Sequence, residues 1–124
     1  VLGRSEKYEV WLTLKHGLLI PSAGIDESNS RDGGLILYPV DPWASARELW
    51  AGLRDRWGHD RFGVVLTDSH TTPLRRGVNG IALATWGFRP VKTLVGAPDL
   101  YGRPLQYTSV NIADAIASAA VLAM

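Results

Sequence analysis

The segment DPWASARELWAGLRDRWG, Asp41 to Gly58, is the clearest helix signal in the sequence. Asp41 belongs to the residue types that cap helix N-termini, and Pro42 suits a first turn because its missing N–H would have no partner there. Apolar residues then recur at helical spacing, which predicts one buried stripe that ends at Gly58. The stripe consists of Ala46, Leu49, Trp50, Leu53 and Trp57.

Strand signals lie on both sides of this helix. The predicted strands are YEVWLTL (8–14), LILYPV (35–40), FGVVLTD (62–68), a glycine-broken VNGIALATWGF (78–88) and LQYTSV (105–110). An alanine-rich helix is predicted from Asn111 to Met124. Strands and helices follow one another without a regular βαβ repeat, so we expect an α+β fold, with a mixed sheet and flanking helices.

Composition narrows the classes of function. The 124 residues suit a single domain, and 46% hydrophobic with 20% charged residues are ordinary values for a globular protein. A net charge of +1 gives no reason to expect a basic face for nucleic acid, and the absence of cysteine excludes disulfides and thiolate catalysis. The longest apolar stretch, IADAIASAAVLAM, is too short to span a bilayer, so a membrane role is not expected and cytoplasm is the default location.

Two aspartates each follow an apolar strand signal and begin a polar loop. Asp26 lies in PSAGIDESNS and Asp68 ends FGVVLTD. A pair of carboxylates on strand ends can hold Mg²⁺ or Mn²⁺, which takes its remaining oxygens from water and phosphates. Ser69 adds a neighbouring hydroxyl as a further ligand. The alternative is that both aspartates only cap turns or helix starts, as this residue type often does.

Other polar residues allow more than one interpretation. Arg75 and Arg76 can bind phosphate through their forked guanidinium donors, or can form a solvated basic edge. The pair Ser69–His70 does not predict a serine hydrolase, because adjacent residues rarely orient as nucleophile and base and no third member is identifiable. The three histidines lack the i, i+4 spacing typical of zinc ligands.

Four segments, in this order, match the motifs of one family. They are SAGIDESN (22–29), TDSHTTPLRRG (67–77), DLYGRPLQYT (99–108) and ADAIASAAVLAM (113–124). The chain therefore resembles the coenzyme F420-0:L-glutamate ligase family from about His16 onward. The resemblance implies an α+β fold within an intertwined homodimer, and a GTP-dependent ligation that joins glutamate to a carboxylate of F420-0.

The resemblance also assigns roles to individual residues. Members use two divalent ions, Mg²⁺ or Mn²⁺, and the motifs place Asp26 and Asp68 on one ion and Ser69 on the other. Asn29 falls where members contact GTP. Phosphoryl transfer needs charge neutralisation and alignment more than a protein nucleophile, so these residue types suit the chemistry.

Departures from the family pattern leave a second hypothesis open. Thr71 and Thr72 stand where members carry Gly-Arg, and Arg75 or Arg76 would have to replace that guanidinium. The family's lysine-containing GTP segment and its C-terminal metal-binding glutamate do not occur in these 124 residues. We therefore expect the chain to be the central part of a longer ligase-like protein. The alternative is a non-catalytic relative that binds metal or nucleotide, or serves as an assembly module.

Overall fold

The computed structural model describes residues 1–28 and 30–124. It divides the chain into two units, one of residues 1–40 and 70–77 and the other of residues 41–69 and 78–124. The expected α+β class is confirmed by two helices and a set of short strands within the described residues. The expected single mixed sheet is wrong, because these strands form separate sheets of three, two and two strands.

The first unit is built on an antiparallel sheet. Its strands are β1 (Gly3–Ser5), β2 (Val10–Lys15) and β3 (Leu18–Pro21), in the order β1-β2-β3. His16 and Gly17 connect β2 to β3 with φ of 52° and 77°. Two central residues with positive φ are typical of the tight turn that matches the twist of a hairpin. The predicted strand 8–14 is confirmed in the main, because β2 covers most of it.

The predicted strand LILYPV is wrong. In this segment Ile36 alone pairs, through an isolated bridge to Asp26. Leu35 and Leu37 are 58% and 61% exposed, and Val40 is almost fully exposed. A short apolar run does not by itself determine whether a strand has a partner along its length, and here the pairing extends over a single residue.

The second unit begins with α1 (Pro42–Trp57), whose predicted ends are confirmed. The Asp41 carboxylate accepts a hydrogen bond of 3.0 Å from the N–H of Ala44 and so caps the first turn. Gly58 ends the helix with φ of 71°, and its N–H donates to the carbonyl of Arg54 at 2.8 Å. A residue with a Cβ would be strained in that left-handed position.

The predicted apolar stripe of α1 is only partly buried. Ala46 is fully buried and forms a core with Val64 and Ala84, against which further partly buried side chains pack: Trp50, Leu53, Phe62 and Leu66. Leu49 and Trp57, by contrast, are 47% and 53% exposed, so the prediction that they belong to the core is wrong. Trp57 lies in the last turn, where its ring makes an edge-to-face contact with Phe62 and stacks with His59.

Two strands pair in this unit, β4 (Val64–Thr71) and β5 (Val78–Trp86), although the last two residues of β4 are counted with the first unit. β4 continues three residues beyond Asp68, so the prediction that the strand ends at this aspartate is wrong. β5 runs without a break through Gly80, contrary to the predicted interruption. The hydroxyl of Thr67 donates to the carbonyl of Ile81 at 2.9 Å and adds a side-chain bond between the two strands.

The predicted C-terminal helix is confirmed as α2 (Ile112–Ala123), which packs closely along β5. A Cβ on Gly80 would collide with the backbone carbonyl of Ala117. Asp114 accepts a hydrogen bond from the N–H of Ala82 at 2.8 Å, and the Ser118 hydroxyl donates to the carbonyl of Gly80 at 3.0 Å. Side chains of α2 thus satisfy backbone groups along one edge of β5, an edge that would otherwise be open to pairing with another strand.

A second small sheet joins β6 (Val91–Thr93) to β7 (Ser109–Asn111) in antiparallel register. Only the end of the predicted strand 105–110 is found in β7. The preceding residues belong to a loop in which Pro98 and Pro104 form an isolated bridge. Within residues 1–28 and 30–124, no helix has the length and apolar character needed to cross a membrane.

The contact between α2 and β5 predicts a large cost for Gly80→Ala. The added methyl group meets backbone rather than a movable side chain, so we expect a loss of about 2–3 kcal/mol of unfolding free energy in urea titrations. The matched control is Gly52→Ala on α1, where a Cβ meets nothing within 4 Å and a gain of about 0.5–1 kcal/mol is expected. Equal effects of the two substitutions would contradict this packing.

Candidate metal-binding site

The chain reaches Asp26 through a left-handed turn. Ser22, Ala23 and Gly24 follow β3 with φ of 47°, 56° and 69°. Left-handed backbone costs a residue with a Cβ about 1–2 kcal/mol, so Ser22 and Ala23 keep it only because surrounding contacts hold it. The N–H of Ile25 closes the turn with a bond of 3.0 Å to the carbonyl of Ser22.

The backbone of Asp26 is fixed immediately after this turn. Its N–H donates to the carbonyl of Ile36 at 3.1 Å, and the N–H of Ile36 donates back to the carbonyl of Asp26 at 2.7 Å. The ring of Tyr38 lies where a Cβ of Gly24 would be, so only glycine fits at the end of the turn. These contacts fix the position of the Asp26 backbone, from which the exposed side chain extends.

The Asp26 carboxylate is organised by Ser28. One of its oxygens accepts the hydroxyl of Ser28 at 2.6 Å, and the other accepts the N–H of Ser28 at 2.8 Å. The hydroxyl bond, followed by the backbone bond, lowers the pKa of Asp26 below its ordinary value of 3.8. The group is therefore an ionised, solvent-exposed carboxylate at neutral pH, and each oxygen keeps a lone pair for a cation.

Asp68 is presented in a different way. It lies within β4 and is half-buried, and its Oδ1 accepts the N–H of Ser69 at 2.8 Å. Ser69, the next residue, is exposed. β4 pairs with β5, and the Thr67 hydroxyl adds a bond to the same strand, so Asp68 has a rigid support.

The predicted metal ligands divide between the two units. Asp26 belongs to the first unit, while Asp68 and Ser69 belong to the second. Among the described residues, no group of three or more histidine, cysteine, aspartate or glutamate side chains could hold a metal ion. Carboxylate oxygens are ligands that Mg²⁺ and Mn²⁺ prefer, so the donor type fits, with water or phosphate needed to complete the coordination. The shared ion of Asp26 and Asp68 stays a prediction.

The remaining predicted residues are placed as follows. Asn29, the predicted GTP contact, lies outside the described residues. Arg75 and Arg76 are exposed in the loop between β4 and β5, where the N–H of Arg75 donates to the carbonyl of Thr72 at 3.2 Å. Leu74, beside them, has φ of 61°. Both guanidinium groups are accessible to a phosphate, and their role stays a prediction.

The DLYGR segment owes its conformation to Asp99. This carboxylate accepts the N–H groups of Tyr101 and Arg103 at 2.8 and 2.9 Å, and it pairs with the Arg103 side chain at 2.9 Å. The backbone bond from Arg103 is the main cause of the lowered pKa of Asp99. An aspartate three residues before a glycine is typical of a type I turn, which is the sequence signal for this arrangement.

Sequence reasoning missed the side chains that support Asp26. Ser28 carries a recognisable signal, because an aspartate often accepts a hydrogen bond from the residue two positions further on. Thr13 carries none: it lies ten residues before Ala23, yet its hydroxyl accepts the N–H of Ala23 at 2.8 Å. Contacts of this kind depend on the hairpin that brings the two residues together.

Comparison with known proteins gives the chain its family. The family model of F420-0:gamma-glutamyl ligase matches residues 2–124 of this α+β chain, a range that includes the GID and TDS motifs. The chain therefore belongs to the F420-0:gamma-glutamyl ligase family, and the resemblance seen in its motifs is confirmed.

Individual relatives agree with this assignment. The coenzyme F420:L-glutamate ligase of Methanopyrus kandleri is 43% identical over 111 residues, which are 90% of this chain and 44% of the relative. The ligase of Archaeoglobus fulgidus is 42% identical over 110 residues (89% and 44%). That of Methanothermobacter thermautotrophicus is 39% identical over 110 residues (89% and 43%). The chain thus spans less than half the length of these relatives.

The bonds from Ser28 predict a pH-dependent effect of Ser28→Ala. Because the folded-state pKa of Asp26 is below its unfolded value, the resulting stability is fully present above about pH 3.8 and is lost as pH falls through the folded-state pKa. In urea titrations, Ser28→Ala should therefore lower stability at pH 7, and the difference from wild type should shrink below pH 3.8.

The control for this measurement is Ser30→Ala on the same loop. The Ser30 hydroxyl donates to the carbonyl of Glu27 rather than to Asp26. Any effect of Ser30→Ala should therefore be the same at both pH values. A Ser28→Ala effect that does not change with pH, or an Asp26 carboxyl titration by NMR that the substitution leaves unmoved, would contradict the account.

Proposed function

We propose that the chain carries the metal-binding part of a GTP-dependent ligase that joins glutamate to a carboxylate of coenzyme F420-0. Membership of the F420-0:gamma-glutamyl ligase family supports this proposal. The strongest structural support for the proposal is the ionised and exposed carboxylate of Asp26 in the SAGIDESN loop. Because the chain spans less than half of its relatives, the complete reaction is proposed for the whole protein, as an intertwined homodimer.

The proposed reaction has two steps. An oxygen of the F420-0 carboxylate attacks the γ-phosphorus of GTP, and GDP leaves with the electrons of the broken P–O bond. The amine nitrogen of glutamate then attacks the acyl carbon, phosphate departs, and the nitrogen loses a proton to water, which gives an amide between the F420-0 carboxyl group and glutamate. Both steps bring together anionic groups, so the protein must reduce their repulsion and align them.

The residues of this chain have separate tasks in the proposal. Asp26 and Asp68 hold one divalent ion, and Ser69 contributes an oxygen to a second. Bound Mg²⁺ or Mn²⁺ supplies positive charge next to the phosphate oxygens. Arg75 and Arg76 bind phosphate from the loop after β4, and Asn29 contacts the nucleotide. None of these residues has to form a covalent intermediate.

One feature favours a second candidate, a non-catalytic relative that retains the metal or nucleotide site. Thr71 ends β4 and Thr72 follows it, at the positions where the family pattern has Gly-Arg. A guanidinium that would lie next to the metal loop is therefore replaced by two hydroxyl groups. In this candidate Asp26 and Asp68 still bind a cation, but glutamate is not ligated.

The metal part of the proposal predicts that Asp26→Asn and Asp68→Asn each weaken Mn²⁺ binding by about tenfold or more, because each removes a charged ligand. Electron paramagnetic resonance of free Mn²⁺ measures the dissociation constant. Matched controls are Glu27→Gln, beside Asp26 on the same loop, and Asp60→Asn, an exposed carboxylate after α1. Mn²⁺ binding that is indifferent to both site variants would contradict the proposal.

The two candidates differ in their products. The whole protein, incubated with F420-0, glutamate, GTP and Mn²⁺, should release one phosphate for each glutamate found on F420-0 by mass spectrometry. Asp68→Asn should abolish both products, and Glu27→Gln should leave both unchanged. Mn²⁺ binding that depends on Asp26 and Asp68 without any glutamylated product would favour the non-catalytic relative.

A further inference from the structure

The hydroxyl of Thr13 links the first sheet to the turn before Asp26. Thr13 lies in β2 opposite Ile20 of β3 and is only 7% exposed. Its hydroxyl donates to the carbonyl of Ile20 at 2.6 Å and accepts the N–H of Ala23 at 2.8 Å. One hydroxyl thus uses its single proton and one lone pair to join the end of β3 to the left-handed turn.

The turn needs such support because its conformation is unfavourable by itself. Ser22 and Ala23 both have a Cβ and both lie in the left-handed region, with φ of 47° and 56°. In a free chain these residues would prefer negative φ. The bond from Ala23 to Thr13 is lost if Ala23 changes to that conformation, so the bond favours the observed turn.

Other contacts hold the same segment at later positions. Tyr38 packs over Gly24, and the ammonium group of Lys15 lies 5.5 Å from the centre of the Tyr38 ring. The bridge between Asp26 and Ile36 follows. Thr13 is the buried support at the start of the segment, where its hydroxyl binds the N–H of Ala23, whereas Tyr38 and Ile36 act further along the segment.

We propose that Thr13 is a positioning residue that holds the turn at Ser22–Gly24 and thereby fixes the direction of the Asp26 carboxylate. Its effect on a cation rests on the proposed function, because Asp26 must be a ligand for its direction to matter. The effect on the loop itself does not. A carboxylate whose backbone is already in place loses less conformational freedom when it binds an ion, so Thr13 raises the affinity of the site.

The test compares Thr13→Val, which keeps the shape but removes the hydroxyl, with Thr13→Ser, which keeps the hydroxyl. Amide hydrogen exchange reports the loop, and Mn²⁺ paramagnetic resonance reports the site. In Thr13→Val we expect exchange at Ala23 and Asp26 to accelerate by about tenfold or more and Mn²⁺ affinity to fall about fivefold to tenfold. Thr13→Ser should restore both to within about twofold.

Thr85→Val is the matched control, since Thr85 is a buried threonine of the second unit at 3% exposure. It can change the melting temperature, but it should leave exchange at Ala23 and Mn²⁺ affinity unchanged. Thr13→Val with unchanged exchange at Ala23 and Asp26 would overturn the proposal. So would a Thr13→Ser variant that behaves like Thr13→Val, because the hydroxyl would then not be the cause.

Two further results separate this inference from the proposed function. If the Asp26→Asn variant binds Mn²⁺ as tightly as the wild-type protein, the proposed metal role of Asp26 fails. Amide exchange at Ala23 and Asp26 then decides alone whether Thr13 holds the loop. If Thr13→Val does not fold, the wild-type protein decides. The N–H of Ala23 should then exchange as slowly as the amides of the β2–β3 pair, and rapid exchange would overturn the inference.

Discussion

The larger unit depends on the approach of α2 to β5. Gly80 allows the helix backbone to come close because it has no Cβ, and Ala113 and Ala117 on the helix are buried in the same contact region. Asp114 and Ser118 then form hydrogen bonds with two backbone groups of β5, the N–H of Ala82 and the carbonyl of Gly80. Small residues permit the short distance between the helix and strand backbones. The helix removes backbone N–H and C=O groups of β5 from water, and the two polar side chains provide hydrogen bonds in place of those to water.

This contact has a consequence for the candidate site. Successive residues of a strand direct their N–H and C=O groups to opposite edges, so Gly80 and Ala82 face α2 while Ile81 faces β4. The hydroxyl of Thr67, the residue next to Asp68, donates to the carbonyl of Ile81 and so attaches this part of β4 to β5. The position of Asp68 therefore follows from helix packing on the far edge of a neighbouring strand.

The elements predicted correctly are those whose signals are local. Asp41, Pro42 and Gly58 define both ends of α1, because capping and left-handed closure involve residues at most four positions apart. Asn111 starts α2 for the same reason, with its side chain accepting the N–H of Asp114. The errors concern elements that need a distant partner. The segment 35–40 has strand composition but pairs at one residue, and β4 continues past Asp68 because of the strand beside it.

The same distinction applies to the candidate site. Asp26 and Asp68 were identified from short motifs, since an acidic residue after an apolar run is visible in the sequence. Their supports were not, because Thr13 and Thr67 act through backbone groups ten and fourteen residues away. A threonine in a strand has no sequence feature that shows whether its hydroxyl bonds to a turn, to a neighbouring strand or to water.

The two aspartates also differ in what a bound cation would do. Asp68 is held by pairing within the larger unit, whereas Asp26 follows a strained turn of the smaller one. A cation bound by both carboxylates, as proposed, would add stability that rises with the cation concentration. Nucleotide phosphates would supply the oxygens that two carboxylates leave open, so metal and nucleotide would each increase the affinity of the other. In the proposed function, a phosphate that completes the coordination of the cation would suit a reaction in which this phosphate is transferred.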